Sequence, residues 1–240
     1  MSEQIRKDEF RKLLARQAKL IKPARDWLLS TKLNFPFSSV LEVGCGCGDV
    51  LHELGEDKWS VGLDIELELL KELKAEGVLG DGHFLPFQNG SFDLVYCHFS
   101  IMWFSDPAAV IREMARVAKK SICCMAEYDY GARLDFPDEF GYIRDKLAEG
   151  IISDGGDPYA GRKLNQYFKE ANLEADVGAY CHVMDSQQLL AGFEDEWSFI
   201  QEFTDMDPGK MDDLKKSEFE SISSGTRFLF TPVFYAIARK

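Results

Sequence analysis

Residues 40–48 read VLEVGCGCG, an apolar run that ends in three glycines alternating with two cysteines. Two readings compete. Either Cys45 and Cys47 begin a metal or redox site, or the glycines form a turn that lets a bound nucleotide approach the backbone. A metal site needs further ligands at suitable spacing, and no CxxC pair or Cys/His cluster supplies them. No metal is expected. Glycine suits the second reading because a chain leaving a strand must bend sharply here, and a Cβ would push a ligand away.

The flanking pattern supports a nucleotide fold. SVLEV (39–43) reads as a strand, DVLHEL (49–54) as a short helix, WSVGLD (59–64) as a strand, and ELELLKELKAEG (66–77) as a helix closed by Gly77. A brief VLGD strand (78–81) follows. SFDLVYCHFS (91–100) is a buried strand entered through the Asn89-Gly90 turn. Asp106-Pro107 caps a helix whose Val110, Ile111, Met114 and Val117 form one stripe, and SICCMAEYD (121–129) is the next strand. Alternating strands and helices imply right-handed crossovers and a parallel sheet covered on both faces. The expected class is α/β, doubly wound and Rossmann-like. Further on come a helix near 163–171, a strand near 175–183, a helical insertion at 186–226, and the closing strand FLFTPVFYAIAR (228–239).

Upstream, Phe10, Leu13, Leu14, Gln17 and Ile21 recur at helical spacing, with Arg11, Lys12, Arg16 and Lys19 on the other faces. Pro23 can open a second helix, through Trp27 to Leu33. Residues 1–37 are thus expected to form a helical arm or lid, and residues 38–240 the ligand-binding domain. The arm is basic, with nine Lys or Arg against four Asp or Glu in residues 1–33, and is expected to pack on an acidic body.

Composition excludes several functions. A formal charge of −13 opposes the basic surface of a nucleic-acid protein. MSEQIRKDEF lacks an apolar leader core, and no apolar run approaches the roughly 18 residues of a spanning helix. The six cysteines are scattered in apolar surroundings, which suits reduced thiols in a cytoplasmic protein.

The glycine spacing narrows the ligand. A dinucleotide fingerprint needs its third small residue one place later, where Asp49 stands, and a carboxylate aimed at a pyrophosphate is electrostatically wrong. No GK[ST] phosphate loop occurs either. What remains is a cofactor with a nucleoside but no phosphate to cradle.

VLEVGCGCG, followed by GLDIE (62–66), GDGHFLPFQNGSFDLVY (80–96) and DPAAVIREMARVAKK (106–120), resembles the class I S-adenosylmethionine-dependent methyltransferases of the ubiquinone/menaquinone-biosynthesis-like group. The resemblance implies a seven-stranded sheet whose last strand is antiparallel, and S-adenosyl-L-methionine as cofactor. It places Gly44, Cys45, Gly46 and Gly48 in the cofactor turn, and Glu42 near the methionine end, where the cofactor's ammonium would balance a buried carboxylate. Asp64, 20 residues after Gly44, would accept the ribose hydroxyls, with Ile65 beside it. Asp81 and Gly82 would face adenine, while Cys97 and His98 would line the methyl-transfer site. Three departures stand out. The first helix is short, Lys119-Lys120-Ser121 replaces the usual loop before the fifth strand, and CHFSIMW (97–103) stands where amino methylases of adenine or glutamine carry Asn-Pro-Pro-Tyr.

A sulfonium methyl is already activated, so alignment and exclusion of water are the main requirements. If a base is needed, His98 is the first candidate, then Tyr128 and Asp129, although His98 equally suits a hydrogen-bonded wall. Trp103, Phe104, Tyr128, Tyr130, Phe136 and Tyr159 suggest an aromatic pocket for a small-molecule acceptor. Arg162, in GGDPYAGRKL (155–164), would clamp an anionic substrate or pair with the acidic body, and Arg16 and Gln17 would close over the cofactor. The alternatives are a cofactor-binding regulator or scaffold without catalysis and, as a lesser one, arsenite methylation, which needs cysteines converging on the pocket.

Overall fold

The strand expected at 39–43 forms near the middle of a seven-stranded sheet. A computed structural model of the chain describes residues 3–55, 57–181 and 183–240, with the side chains of residues 3–10, 13 and 55 outside the described set. The strands are β1 (Ser39–Val43), β2 (Trp59–Asp64), β3 (Glu76–Leu79), β4 (Phe92–His98), β5 (Ala118–Tyr128), β6 (Leu134–Phe136), β7 (Asp176–Tyr180), β8 (Phe228–Phe230) and β9 (Val233–Arg239). The main sheet has the order β3-β2-β1-β4-β5-β9-β7. Only β9 runs against its neighbours, pairing antiparallel with both β5 and β7. This is the doubly wound arrangement with an antiparallel last strand. Every side chain of β1 and β4 is buried, which is why these segments read as unbroken apolar runs.

Strand order reverses at β1, between β2 and β4, so the glycine turn leaves the sheet at its topological switch point. The helices are α1 (Glu3–Leu20), α2 (Lys22–Thr31), α3 (Asp49–Gly55), α4 (Leu67–Leu70), α5 (Pro107–Val117), α6 (Gly141–Ser153), α7 (Ala160–Glu170), α8 (Ser186–Ala191), α9 (Phe193–Phe203) and α10 (Pro208–Ser223). In α5 the Asp106 carboxylate accepts from the Ala109 amide at 2.9 Å, and Val110, Ile111, Met114 and Val117 are all buried, as the stripe predicts. Among the described residues no helix is long and apolar enough to cross a membrane.

Three expectations about elements need correction. The helix expected at 66–77 is one turn, α4. Gly77 does not close it but pairs in register with Gly62 of β2 as part of β3. Leu73 lies against Gly48 and Gly62, and this tertiary contact outcompetes helix propensity in a short segment. The Lys119-Lys120-Ser121 loop is absorbed into β5, which starts directly after α5. FLFTPVFYAIAR is two strands, β8 and β9, interrupted at Thr231-Pro232, where proline offers no amide to a ladder.

The chain divides into two compact units. One comprises Ala18–Tyr128, Ala160–Tyr180 and Val233–Lys240 and contains the whole main sheet. The other comprises residues up to Gln17, Asp129–Tyr159 and Cys181–Pro232. The division differs from an arm at 1–37 and an insertion at 186–226. Within the sheet unit, α2 is held by Leu28 in the core and by Trp27, whose ring lies 6.0 Å from Tyr180 and 5.7 Å from Tyr235. Ile21 of the arm stripe packs with Ala24, Ala126 and Val233, whereas Phe10 and Leu13 lie outside the described side chains. The second unit holds the β6–β8 pair and a buried charge web. There Arg227 contacts Asp135 at 2.6 Å and Glu218 at 2.8 Å, and Arg133 contacts Asp135 at 2.9 Å.

Candidate active site

Gly44, Gly46 and Gly48 all take left-handed backbone conformations, with φ of +74°, +54° and +81°. That explains the alternating glycines, since an L-residue is strained there. A Cβ on Gly44 would lie 2.6 Å from Ser100 Oγ, so the loop after β4 approaches the turn as closely as a glycine permits. Ser100 Oγ sits 3.0 Å from the Gly44 carbonyl and 2.9 Å from that of His98. Cys45 points to packing. Cys45 is buried with its sulfur against Gly62, and burial pushes its thiol far above the usual value.

Asp64 ends β2, and its carboxylate accepts from the Gly46 amide at 2.7 Å and the Glu66 amide at 2.9 Å. It braces the turn and keeps further acceptor capacity, because a carboxylate offers about four lone-pair sites. Next to it Ile65 is 68% exposed. At the end of β3, Asp81 accepts from the His83 amide at 2.9 Å and from His83 Nδ1 at 2.6 Å; the amide bond is the larger cause of a carboxyl pKa held below its usual value. His83 Nε2 accepts from the Asp106 amide at 3.2 Å, so the ring proton is on Nδ1. Gly82 is buried, and a Cβ there would meet Val43 at 3.0 Å. Leu67, Leu79, Phe84 and Trp103 are, with Ile65, large apolar side chains left exposed along the carboxyl edge of β2, β3 and β4. Phe84 is 79% exposed. An apolar rim interrupted by two carboxylates suits a flat heterocycle with a polar edge.

Glu42 lies in β1 and is buried. Tyr96 of β4 donates its hydroxyl to it at 3.1 Å, and burial pushes the carboxyl pKa up to about 8. Sequence reasoning missed the cation in its neighbourhood. Arg25 of α2 is 1% exposed, donates to the Ala18 carbonyl at 2.6 Å and to Glu53 at 2.5 Å, and faces His98 Nε2 at 3.4 Å. The available signal was a lone arginine on the apolar side of a short helix, between Ala24 and Leu28. Arg16, expected to close over the cofactor, belongs to the other unit and pairs there with Glu196 at 3.4 Å.

His98 is buried, and burial, aided by the Arg25 charge, holds it neutral. A guanidinium cannot accept a hydrogen bond, so Nε2 presents its lone pair to Arg25 and Nδ1 carries the proton. Of the two roles considered for His98, this geometry favours the wall over the general base. Its ring meets Phe99 edge-on at 4.3 Å, and Phe99, at φ +53°, stacks on Tyr128 at 4.6 Å. Cys97 is turned into the core, where its thiol lies 3.5 Å from Glu127. Glu127 also accepts from the Ile101 amide at 3.2 Å, so it anchors the 101–103 turn that carries Trp103. Burial raises its pKa to about 8. A single buried glutamate in a long strand gives no periodic signal, so the sequence did not point to it.

The expected acceptor residues are distributed between the units. Trp103, Phe104, Tyr128 and Arg162 belong to the sheet unit, where Trp103 is 44% exposed and Arg162 is exposed on α7. Asp129, Tyr130, Phe136 and Tyr159 belong to the other. There Tyr130 donates its amide to the Pro158 carbonyl at 2.9 Å, and burial pushes its hydroxyl pKa up to about 12. Among the described residues no group of three or more His, Cys, Asp or Glu is placed to hold a metal ion.

Residues 41–123, from β1 into β5, match the methyltransferase domain family. An uncharacterized methyltransferase of Schizosaccharomyces pombe is 29% identical over 173 residues, which span 59% of this chain and 60% of that protein. A demethylmenaquinone methyltransferase of Roseiflexus castenholzii is 37% identical over 89 residues, spanning 33% of this chain and 37% of the relative. The chain therefore matches less than two thirds of the length of either relative. Among solved structures, a candidate methyltransferase from Bacillus halodurans aligns over 84% of this chain and 91% of its own, with a TM-score of 0.57 and 19% identity, a likeness of fold.

Proposed function

We propose that the chain is a class I S-adenosylmethionine-dependent methyltransferase and that it methylates a small-molecule acceptor at the carboxyl edge of β1, β2 and β4. The observation that carries this reading is the left-handed glycine turn, braced by Asp64 and bordered by uncovered apolar side chains, next to the buried carboxylate of Glu42. These residues fit the cofactor. Asp64 would take the ribose hydroxyls, Asp81 and the Gly82 amide the adenine edge, Ile65 and Phe84 its faces, and Glu42 the ammonium. Bound there, S-adenosylmethionine supplies an activated methyl group.

What the protein adds is alignment. The turn, the Ser100 contact and the Glu127 anchor fix the loop after β4, and the His98–Phe99–Tyr128 stack makes a rigid wall. With the His98 lone pair directed at Arg25, the reading favours an acceptor whose nucleophile is deprotonated near neutral pH. An acceptor with an apolar body is supported by the exposed Trp103 ring. Arsenite fits poorly, because Cys45, Cys97, Cys123 and Cys124 are buried and burial raises the pKa of Cys45 and Cys123. A cytoplasmic setting is part of the proposal and rests on these free thiols.

Transfer of isotopically labelled methyl from the cofactor to a panel of phenolic, enolic and thiol acceptors tests the proposal, with a chelator present. Turnover is expected, and His98→Gln is expected to retain it within several-fold. A loss on the order of 10²–10⁴ with a histidine-like pH profile would reinstate His98 as base. Cofactor binding without transfer to any acceptor would favour a binding-only protein.

A further inference from the structure

Strand β5 carries a fault that aims one side chain. Cys124 stands opposite Ala236 of β9 and Glu127 opposite Phe234, so Met125 and Ala126 together face the single residue Tyr235, and Ala126 takes a left-handed φ of +58°. This is a β-bulge, a device that re-aims a side chain. In a regular strand Glu127 would share a face with Cys123 and Met125, which pack in the core with Leu28 and Leu51. The extra residue turns it to the face of Cys97 on β4, whose thiol lies 3.5 Å from its Oε1.

There the carboxylate meets donors only. The Ile101 amide donates to it at 3.2 Å, and the Ser100 amide and the Cys97 thiol also hydrogen-bond to it. A neutral acid would bring a hydroxyl for which these partners offer no oxygen acceptor, so they match the ionised form. Burial opposes that form and outweighs the donors, which leaves the carboxyl pKa at about 8. No charged side chain contributes. The other titratable groups near it are the thiols of Cys97, Cys123 and Cys124 on β4 and β5 and the Tyr235 phenol of β9. Of the helices packed on β5, α2 brings Arg25 and α7 brings Lys163 and Tyr167, while the buried face of α5 is apolar.

The loop that Glu127 holds is strained by itself. Phe99 has a φ of +53°, which costs an L-residue energy, and its ring is held by the stack on Tyr128. From this loop Ser100 reaches the Gly44 carbonyl at 3.0 Å, and Trp103 stands exposed at the far end. We propose that Glu127 is a positioning residue for methyl transfer: its ionised carboxylate locks residues 99–103 against the glycine turn, and protonation unlocks them. This rests on the methyltransferase reading above and goes beyond it by giving the site a pH-dependent anchor that acts through the loop.

The test is NMR titration of the full chain from about pH 6 to about pH 10, following the Glu127 carboxyl carbon, the Gly44, Ser100 and Ile101 amides and the Trp103 indole. Wild type, Glu127→Gln and Glu42→Gln are compared. Wild type is expected to show one midpoint at about pH 8 shared by the carboxyl carbon, the amides and the indole, with the Ile101 amide moving downfield and gaining protection from exchange as the carboxyl ionises. In Glu127→Gln the loop signals should lose that midpoint and stay near their low-pH positions. Glu42→Gln should keep it at Ile101 and Trp103, which separates the two buried glutamates. Loop signals that are flat in wild type, or that titrate unchanged in Glu127→Gln, overturn the proposal. So does a response confined to Ile101, which makes Glu127 a local bond, and so does a loop that loosens above the midpoint, which means that the ionised carboxylate draws in water. The wild-type titration decides these points even if a variant fails to fold. Calorimetry with S-adenosylhomocysteine keeps the two readings apart. A protein that titrates as expected but binds no S-adenosylhomocysteine fails on the cofactor reading, not on the anchor, and overturns the role in methyl transfer.

Discussion

Glu42 shows what burial does to a single residue. Its carboxyl pKa, pushed up to about 8, leaves it protonated in the free protein at pH 7. If the cofactor's ammonium lies against Glu42, as proposed, it favours the ionised form, and binding below about pH 8 is expected to release a proton. The sign follows directly. Affinity is expected to climb between pH 6 and 8, by at most about tenfold per pH unit, and to level off above. Titrations in buffers of different ionisation enthalpy would show the released proton, and Glu42→Gln should flatten the profile. A profile already flat in wild type would separate Glu42 from the ammonium. The residue type and strand position were readable in advance, whereas the Tyr96 hydroxyl and the Arg25 charge that tune it were not, because both are far away in sequence.

Among the elements, the glycine turn is where local sequence and tertiary contact agree most closely. Gly44 meets two independent constraints, a φ of +74° and the Ser100 side chain against its missing Cβ. Gly44→Ala should therefore cost more than left-handed strain alone, which is about 1–2 kcal/mol, and should also displace the loop after β4. Urea unfolding and cofactor titration measure the two effects. A fully stable Gly44→Ala protein that binds normally would show that the turn tolerates a side chain. The segment after β2 behaves in the opposite way. Its leucines promised a helix, but Leu73 turns back onto Gly48 and Gly62, and Gly77 joins the sheet. Propensity decides little in a segment this short.

At the scale of the whole molecule, net charge sets what the surface can attract. With −13 distributed over 240 residues, binding to duplex DNA or single-stranded RNA near physiological salt is expected to be weaker than about 10⁻⁴ M. Fluorescence anisotropy over a salt series checks this, and tight salt-tolerant binding would contradict the small-molecule reading. The basic N-terminal segment does not alter the expectation. Part of its charge is taken up locally, by Arg25 and Lys22 on Glu53 and by Lys32 on Asp176 at 2.8 Å.

By itself the sequence determined the alternation of strands and helices, the turn at 44–48, the capped helix at 107–117 and the carboxylates at 42, 64 and 81, because each of these is written in neighbouring residues through periodicity, glycine spacing or capping. Only the tertiary structure decided which side chains meet. It placed Arg25 against His98, Ser100 against Gly44, Glu127 beneath the 101–103 turn and Leu73 over the glycines, and it grouped residues 129–159 with 181–232. The physical reason is that these pairings join residues distant along the chain. Their strength depends on burial and orientation, which no local pattern of residues encodes.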